Sequence, residues 1–127
     1  MKKYTKNQLA FIDHVKNECK INNFKCSLRP TTFVKFGNNM KCSGWMDEDK
    51  REIVVSMNRP DWIEILAHEY SHLTQFLDKL PLWNKAGESI DSIERWLNGE
   101  EVDDIDIHLG VSRDLELDNE KRTVKII

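Results

Sequence analysis

Residues 66–75, LAHEYSHLTQ (Leu66 to Gln75), set two imidazoles four positions apart with a carboxylate directly after the first. On an α-helix successive residues turn by ~100°, so His68 and His72 point within ~40° of one another, about one turn apart along the axis. Both rings can then reach one cation. Glu69 sits ~100° round from His68, too far to complete the ligand set comfortably but well placed to touch a water held by that cation. The neighbouring residues support a helix: after Asn58-Arg-Pro, Asp61 is followed three positions later by Glu64, an acidic variant of the capping box, and then by a long apolar run. The helix is expected over 62–79, stopped by Leu80-Pro81. Trp62, Leu66, Leu73, Leu77 and Leu80 fall on one face and Glu64, Ser71, Gln75 and Asp78 on the opposite one. The histidines lie at the border, where a ligand is anchored by the core yet looks into a cleft.

Upstream, residues 5–20 place Leu9, Phe11, Ile12, Val15 and Cys19 mostly at the helical period, which predicts an amphipathic helix carrying a partly buried His14. FKCSL, TTFVKF, MKCSGWMD and EIVVSM follow, short and rich in β-branched and aromatic residues, separated by Arg-Pro, Gly-Asn-Asn and Asp-Glu-Asp-Lys. They predict a small, mainly antiparallel sheet, with MKCSGWMD and EIVVSM as its best hairpin and Gly44 marking a bulge or a close backbone approach. Downstream, a helix is expected over 84–97, ended by Asn98-Gly99. EEVDDIDIHLG reads as an acidic, irregular surface connection. A last helix is expected from Ser112 or Asp114 to Ile127, its acids early and Lys121, Arg122 and Lys125 late, as the helix dipole prefers. Without repeats, linkers or low-complexity tracts, residues 1–127 read as one α+β domain.

A length of 127 residues with 39% hydrophobic and 32% charged residues suits one soluble globular domain. The basic start has no unbroken apolar run of the signal-peptide kind, and no segment approaches the ~20 residues of a membrane span, so a cytoplasmic protein with no membrane partner is expected. A net charge of −3 does not favour nucleic acid as a partner. Cys19, Cys26 and Cys42, an odd number with no C-x-x-C spacing, argue against a disulfide framework or a zinc ribbon and for free thiols in a reducing compartment.

Zinc suits the His68–His72 pair, because it takes neutral imidazole nitrogens at ~2.0–2.1 Å and tolerates an open tetrahedral position; three protein ligands plus water are its usual catalytic set. A third donor is therefore needed. A continuation His-x-x-Gly-x-x-His is ruled out, since no histidine follows His72 before His108. The segment RDLELDNEKRTVKII supplies Glu116 and Glu120, four apart on one helical face.

LAHEYSHLTQ followed by ELDNE resembles the gluzincin group of zinc metallopeptidases, whose second motif reads roughly Glu-x-x-Ala-Asp. The resemblance covers approximately residues 40–127 and is greatest to the compact metallopeptidase-like proteins of bacterial and phage genomes, which would make a phage-encoded origin natural. It implies a minimal zincin-like domain, with a small sheet packed against the motif helix and further helices. It also implies one zinc ion held by His68, His72 and Glu116, with Glu120 accepting a ring N–H from a ligating histidine. Glu69 would be the general base in hydrolysis of a protein or peptide substrate. Asn119 and Glu120 depart from the family's Ala and Asp, which leaves Glu116 and Glu120 as alternatives for the third ligand. In zincins an edge strand near the motif helix pairs with extended substrate; MKCSGWMD and EIVVSM are the candidates, although the continuous apolar run of EIVVSM equally fits an interior strand. His108, Arg113 and Tyr70 are conceivable oxyanion donors, and Trp45 beside Gly44 could line a cleft. The competing reading is a metal-stabilised binding or regulatory module with a zincin fold and no turnover. Retention of Glu69 counts against it.

Overall fold

The capping box Thr5–Gln8 starts helix α1 (Lys6–Ile21): the Gln8 N–H donates to Thr5 Oγ1 at 3.1 Å and the Thr5 N–H to Gln8 Oε1 at 2.9 Å. The computed structural model describes residues 4–37 and 40–126, so two residues of the Gly-Asn-Asn turn, Asn38 and Asn39, lie outside the described residues. The chain divides into two compact units, one reaching to Tyr70 and the other beginning at Ser71.

In the first unit α1 buries Ile12, Val15 and Cys19. Five strands follow: β1 (Lys25–Arg29), β2 (Val34–Phe36), β3 (Met40–Cys42), β4 (Gly44–Asp47) and β5 (Glu52–Ser56). They form a three-stranded sheet in the order β1-β5-β4 and a separate β2-β3 ribbon. The larger sheet is mixed rather than mainly antiparallel. β1 runs parallel to β5, with Cys26 opposite Ile53 and Leu28 opposite Val55, and β4 is antiparallel to β5, with Trp45 opposite Val54. The reason lies in EIVVSM: Ile53, Val54 and Val55 are all buried, and so continuous an apolar run needs neighbours on both edges and cover on both faces, which the central place gives it.

The hairpin expected between MKCSGWMD and EIVVSM is present as β4–β5, but MKCSGWMD is split. Met40–Cys42 pairs with β2, and at Ser43 the chain changes partner; both the N–H and the hydroxyl of Ser56 donate to the Ser43 carbonyl and pin the change. The β4–β5 turn is held by Asp47, whose carboxylate accepts from the N–H groups of Asp49 at 2.8 Å and Lys50 at 3.1 Å. Gly44 marks a close approach. A Cβ there would meet Ile65 Cγ2 at 2.9 Å, the Val54 carbonyl oxygen at 3.0 Å and Glu69 Cγ at 3.5 Å.

Helix α2 (Trp62–Leu77) begins in the first unit and continues unbroken into the second. Leu66, Ala67 and Leu73 are buried as its apolar pattern requires. Ser71 and Gln75, read from the sequence as a polar outer face, are fully buried too. In the second unit α3 (Pro81–Leu97) starts three residues earlier than expected. Pro81 lacks only an N–H that the first turn leaves unbonded, and its fixed φ is already helical, so it opens α3 as well as closing α2. Asn98 and Gly99, the latter at φ 92°, end α3 as expected.

Helix α4 (Ile105–Ile126) starts about two turns before the expected Ser112, so IDIHLG is helical rather than a surface connection. The inward side of α4 is polar, with Asn119 fully buried and Thr123 donating to the Ser71 hydroxyl at 3.1 Å, which removes the apolar period that would have announced the helix. His108 ties α4 to α3 through a 2.9 Å hydrogen bond between its Nδ1 and Ser89 Oγ. Among the described residues no helix is long and apolar enough to cross a membrane.

Candidate metal centre

His72 belongs to the second unit, and its Nε2 lies 3.5 Å from Glu116 Oε1 on α4. His68 is one turn up the same unbroken helix, which fixes its place by helix geometry. His68, His72 and Glu116 each offer one ligand atom, and these atoms all lie within 4.8 Å of one another. Around a tetrahedral cation with bonds of ~2.0–2.1 Å, ligand atoms stand about 3.4 Å apart, close to the His72–Glu116 separation. Two imidazoles and one carboxylate are a donor set whose chemistry suits zinc, and the His72–Glu116 pair already stands near the spacing it needs. The His72 side chain is 13% exposed and that of Glu116 56%, so the donors are anchored on one side and solvated on the other.

The ring of Trp83 packs 5.8 Å from that of His72, and Phe76 backs Trp83 at 6.2 Å, giving the imidazole an aromatic wall. Its Nδ1 faces Gln75 Oε1 at 2.9 Å. Gln75 Nε2 donates in turn to the Leu115 carbonyl at 3.0 Å and to Asp118 Oδ2 at 2.8 Å. Asp118 also receives Arg122 Nε at 2.8 Å, and Arg122 reaches back to Thr74 at 3.0 Å and Asp78 at 2.8 Å. The Gln75 hydrogen bond, with Arg122 beside it, holds the Asp118 carboxyl below the usual carboxylate range against the opposing effect of burial.

Glu69, in the first unit, is buried with its Cγ facing Gly44 of β4. Burial pushes the Cys42 thiol up, and the charge of Glu69 pushes it further, so the end of β3 also lies within the field of this carboxylate. β4 is an edge of its sheet and β5 is interior. Of the two strands considered for substrate, only β4 has an edge of this sheet to offer.

No protein-family model, curated protein or solved structure matches this chain. The resemblance to gluzincins is one of sequence motifs alone, LAHEYSHLTQ and ELDNE.

The ELDNE half of that likeness needs one correction. Glu120 does not join the cluster; it lies with Leu117, Lys121, Val124 and Lys125 along another stretch of α4, one turn or ~6 Å of rise beyond Glu116. The group on the His72 ring nitrogen is Gln75, with Asp118 behind it. Both were missed. The spacing His72-x-x-Gln75 is one turn of helix and carries the signal, which the place of Gln75 on the polar face of α2 masks.

The suggested oxyanion donors have other partners. The Tyr70 hydroxyl lies 3.0 Å from His14 Nε2 and its ring stacks edge-on with Phe11; His108 is bonded to Ser89; Arg113 pairs with Asp114 at 3.4 Å. Trp45 turns its indole N–H onto the Lys35 carbonyl at 3.1 Å and lines a hollow with Phe33, Val34 and Val54.

Proposed function

We propose that this chain is a zinc-dependent metallopeptidase of the gluzincin kind, in which His68, His72 and Glu116 hold one zinc ion and Glu69 is the general base. The observation that carries the reading is the gathering of those three donors within 4.8 Å, two of them on the helix that also bears Glu69. When bound, zinc supplies Lewis acidity, lowering the pKa of water in its open position and polarising a substrate carbonyl. Glu69 takes the proton from the attacking water and returns it to the leaving amine. Its burial beside β4 keeps competing water from the carboxylate while leaving it one helix position from His68. The β4 edge receives an extended peptide by strand addition, next to Gly44 and hence to Glu69. Free Cys19, Cys26 and Cys42 support a cytoplasmic location.

The test is cleavage of a diverse peptide pool by the zinc-loaded protein and by Glu69→Gln. Wild type is expected to cleave, and Glu69→Gln to bind zinc equally well with turnover at least ~100-fold lower. A wild-type protein that binds zinc and cleaves nothing in the pool contradicts the peptidase reading.

A further inference from the structure

We infer that Gln75 is a positioning residue that sets the tautomer of His72, so that Nδ1 carries the proton and Nε2 presents its lone pair toward Glu116. The part of this inference that concerns zinc rests on the metallopeptidase reading; the tautomer itself does not. The argument starts from the acceptors. The Leu115 carbonyl and the Asp118 carboxylate can only accept, and both lie against one end of the Gln75 amide, at 3.0 and 2.8 Å. That end must be the NH₂. The amide oxygen then faces His72 Nδ1 at 2.9 Å, and because a carbonyl oxygen only accepts, Nδ1 must donate. In the neutral ring the proton is thereby removed from Nε2, the nitrogen that stands 3.5 Å from Glu116 Oε1.

Each member of the relay is itself fixed. Gln75 is fully buried and cannot exchange its partners for water without opening the α2–α4 packing. Asp118 is kept in place by Arg122, which Thr74 and Asp78 anchor on α2. A direct carboxylate on the imidazole would do the same orienting work, as is common for metal-ligating histidines. Here a neutral amide transmits the preference of a carboxylate one residue further away, and it brings no second negative charge against Glu116. The residue that ELDNE suggested for this task, Glu120, is thus replaced by one on the same helix as the histidine it orients.

The experiment reads the His72 tautomer by long-range ¹H–¹⁵N correlation in the metal-free protein at mildly alkaline pH, alongside zinc affinity by competition with a chromophoric chelator. Wild type is expected to show the Nδ1–H form. Gln75→Leu should lose that bias and bind zinc about 10–100-fold more weakly. An Nε2–H tautomer in wild type overturns the inference whether or not any variant folds. So does a folded Gln75→Leu with tautomer and affinity unchanged. Wild type that shows the Nδ1–H form but binds no zinc supports the relay and overturns the metal reading, so the two failures are separable.

Discussion

Replacing Gly44 by alanine tests the contact between β4 and α2 that brings Glu69 beside the sheet edge. The added Cβ would stand 2.9 Å from Ile65 Cγ2 and 3.0 Å from the Val54 carbonyl oxygen, both shorter than ordinary carbon contacts. Neither neighbour yields easily. Val54 is backbone of the central strand, and Ile65 is β-branched on a helix, where one χ1 rotamer dominates. Overpacking of this kind costs about 1–3 kcal/mol, against which the stiffer unfolded chain returns about 0.4–1 kcal/mol. The net expectation is a loss of about 1–2 kcal/mol, or roughly 5–30-fold in the folded-to-unfolded ratio. Gly87→Ala is the control. A Cβ at Gly87 meets nothing within 4 Å on the exposed side of α3, so the same substitution should stabilise by about 0.5–1 kcal/mol. Equilibrium urea unfolding resolves the two, with the Gly44→Ala midpoint lower by roughly 0.5–1 M and the Gly87→Ala midpoint raised. If Gly44→Ala instead raises the midpoint as Gly87→Ala does, β4 does not press on α2 at this point, and the placement of Glu69 against the edge strand is wrong.

Arg122→Met should destabilise the packing of α4 on α2 by about 1–2 kcal/mol, after discounting its ion pairs with Asp78 and Asp118 for their partial exposure, as read by the same urea titration. Of the three thiols, Cys26 should be alkylated first: the hydrogen bond from Cys19 holds it below the usual thiol range, while the same contact pushes Cys19 up and burial pushes Cys42 up. Peptide mapping after brief iodoacetamide treatment reads this order, and preferential labelling of Cys19 would contradict it. Arg59 holds Asp61 below the usual carboxylate range by hydrogen bonding, so its stabilisation is present above the ordinary value of 3.8 and is lost as pH falls through the depressed one. The stability gap between wild type and Asp61→Asn should therefore narrow as pH falls below the ordinary value of 3.8, and a gap that widens would reverse the sign of the argument.

Where local chemistry decides a structure, the sequence could be read directly. The apolar period of residues 5–20 gives α1, Asn98-Gly99 closes α3, and the four-residue spacing of His68 and His72 needs only that α2 be a helix. What escaped the reading depends on partners distant in the chain. The parallel pairing of β1 with β5 is invisible to alternation, because parallel and antiparallel neighbours bury the same side chains. The early start of α4 and the burial of Ser71, Gln75 and Asn119 share one cause: a polar interface between α2 and α4, whose residues look solvated until their hydrogen-bond partners are known. Choosing between Glu116 and Glu120 needed the same knowledge, since both fall on one helical face and only the position at which α4 meets His72 distinguishes them.

The central claim is that His68, His72 and Glu116 converge on one cation. Anomalous scattering at the zinc edge from crystals of the zinc-loaded protein tests it directly. A single peak is expected within ~2.0–2.2 Å of an imidazole nitrogen from each histidine and of a Glu116 oxygen. A zinc ion elsewhere on the chain, or one that Glu116 does not touch, would contradict it.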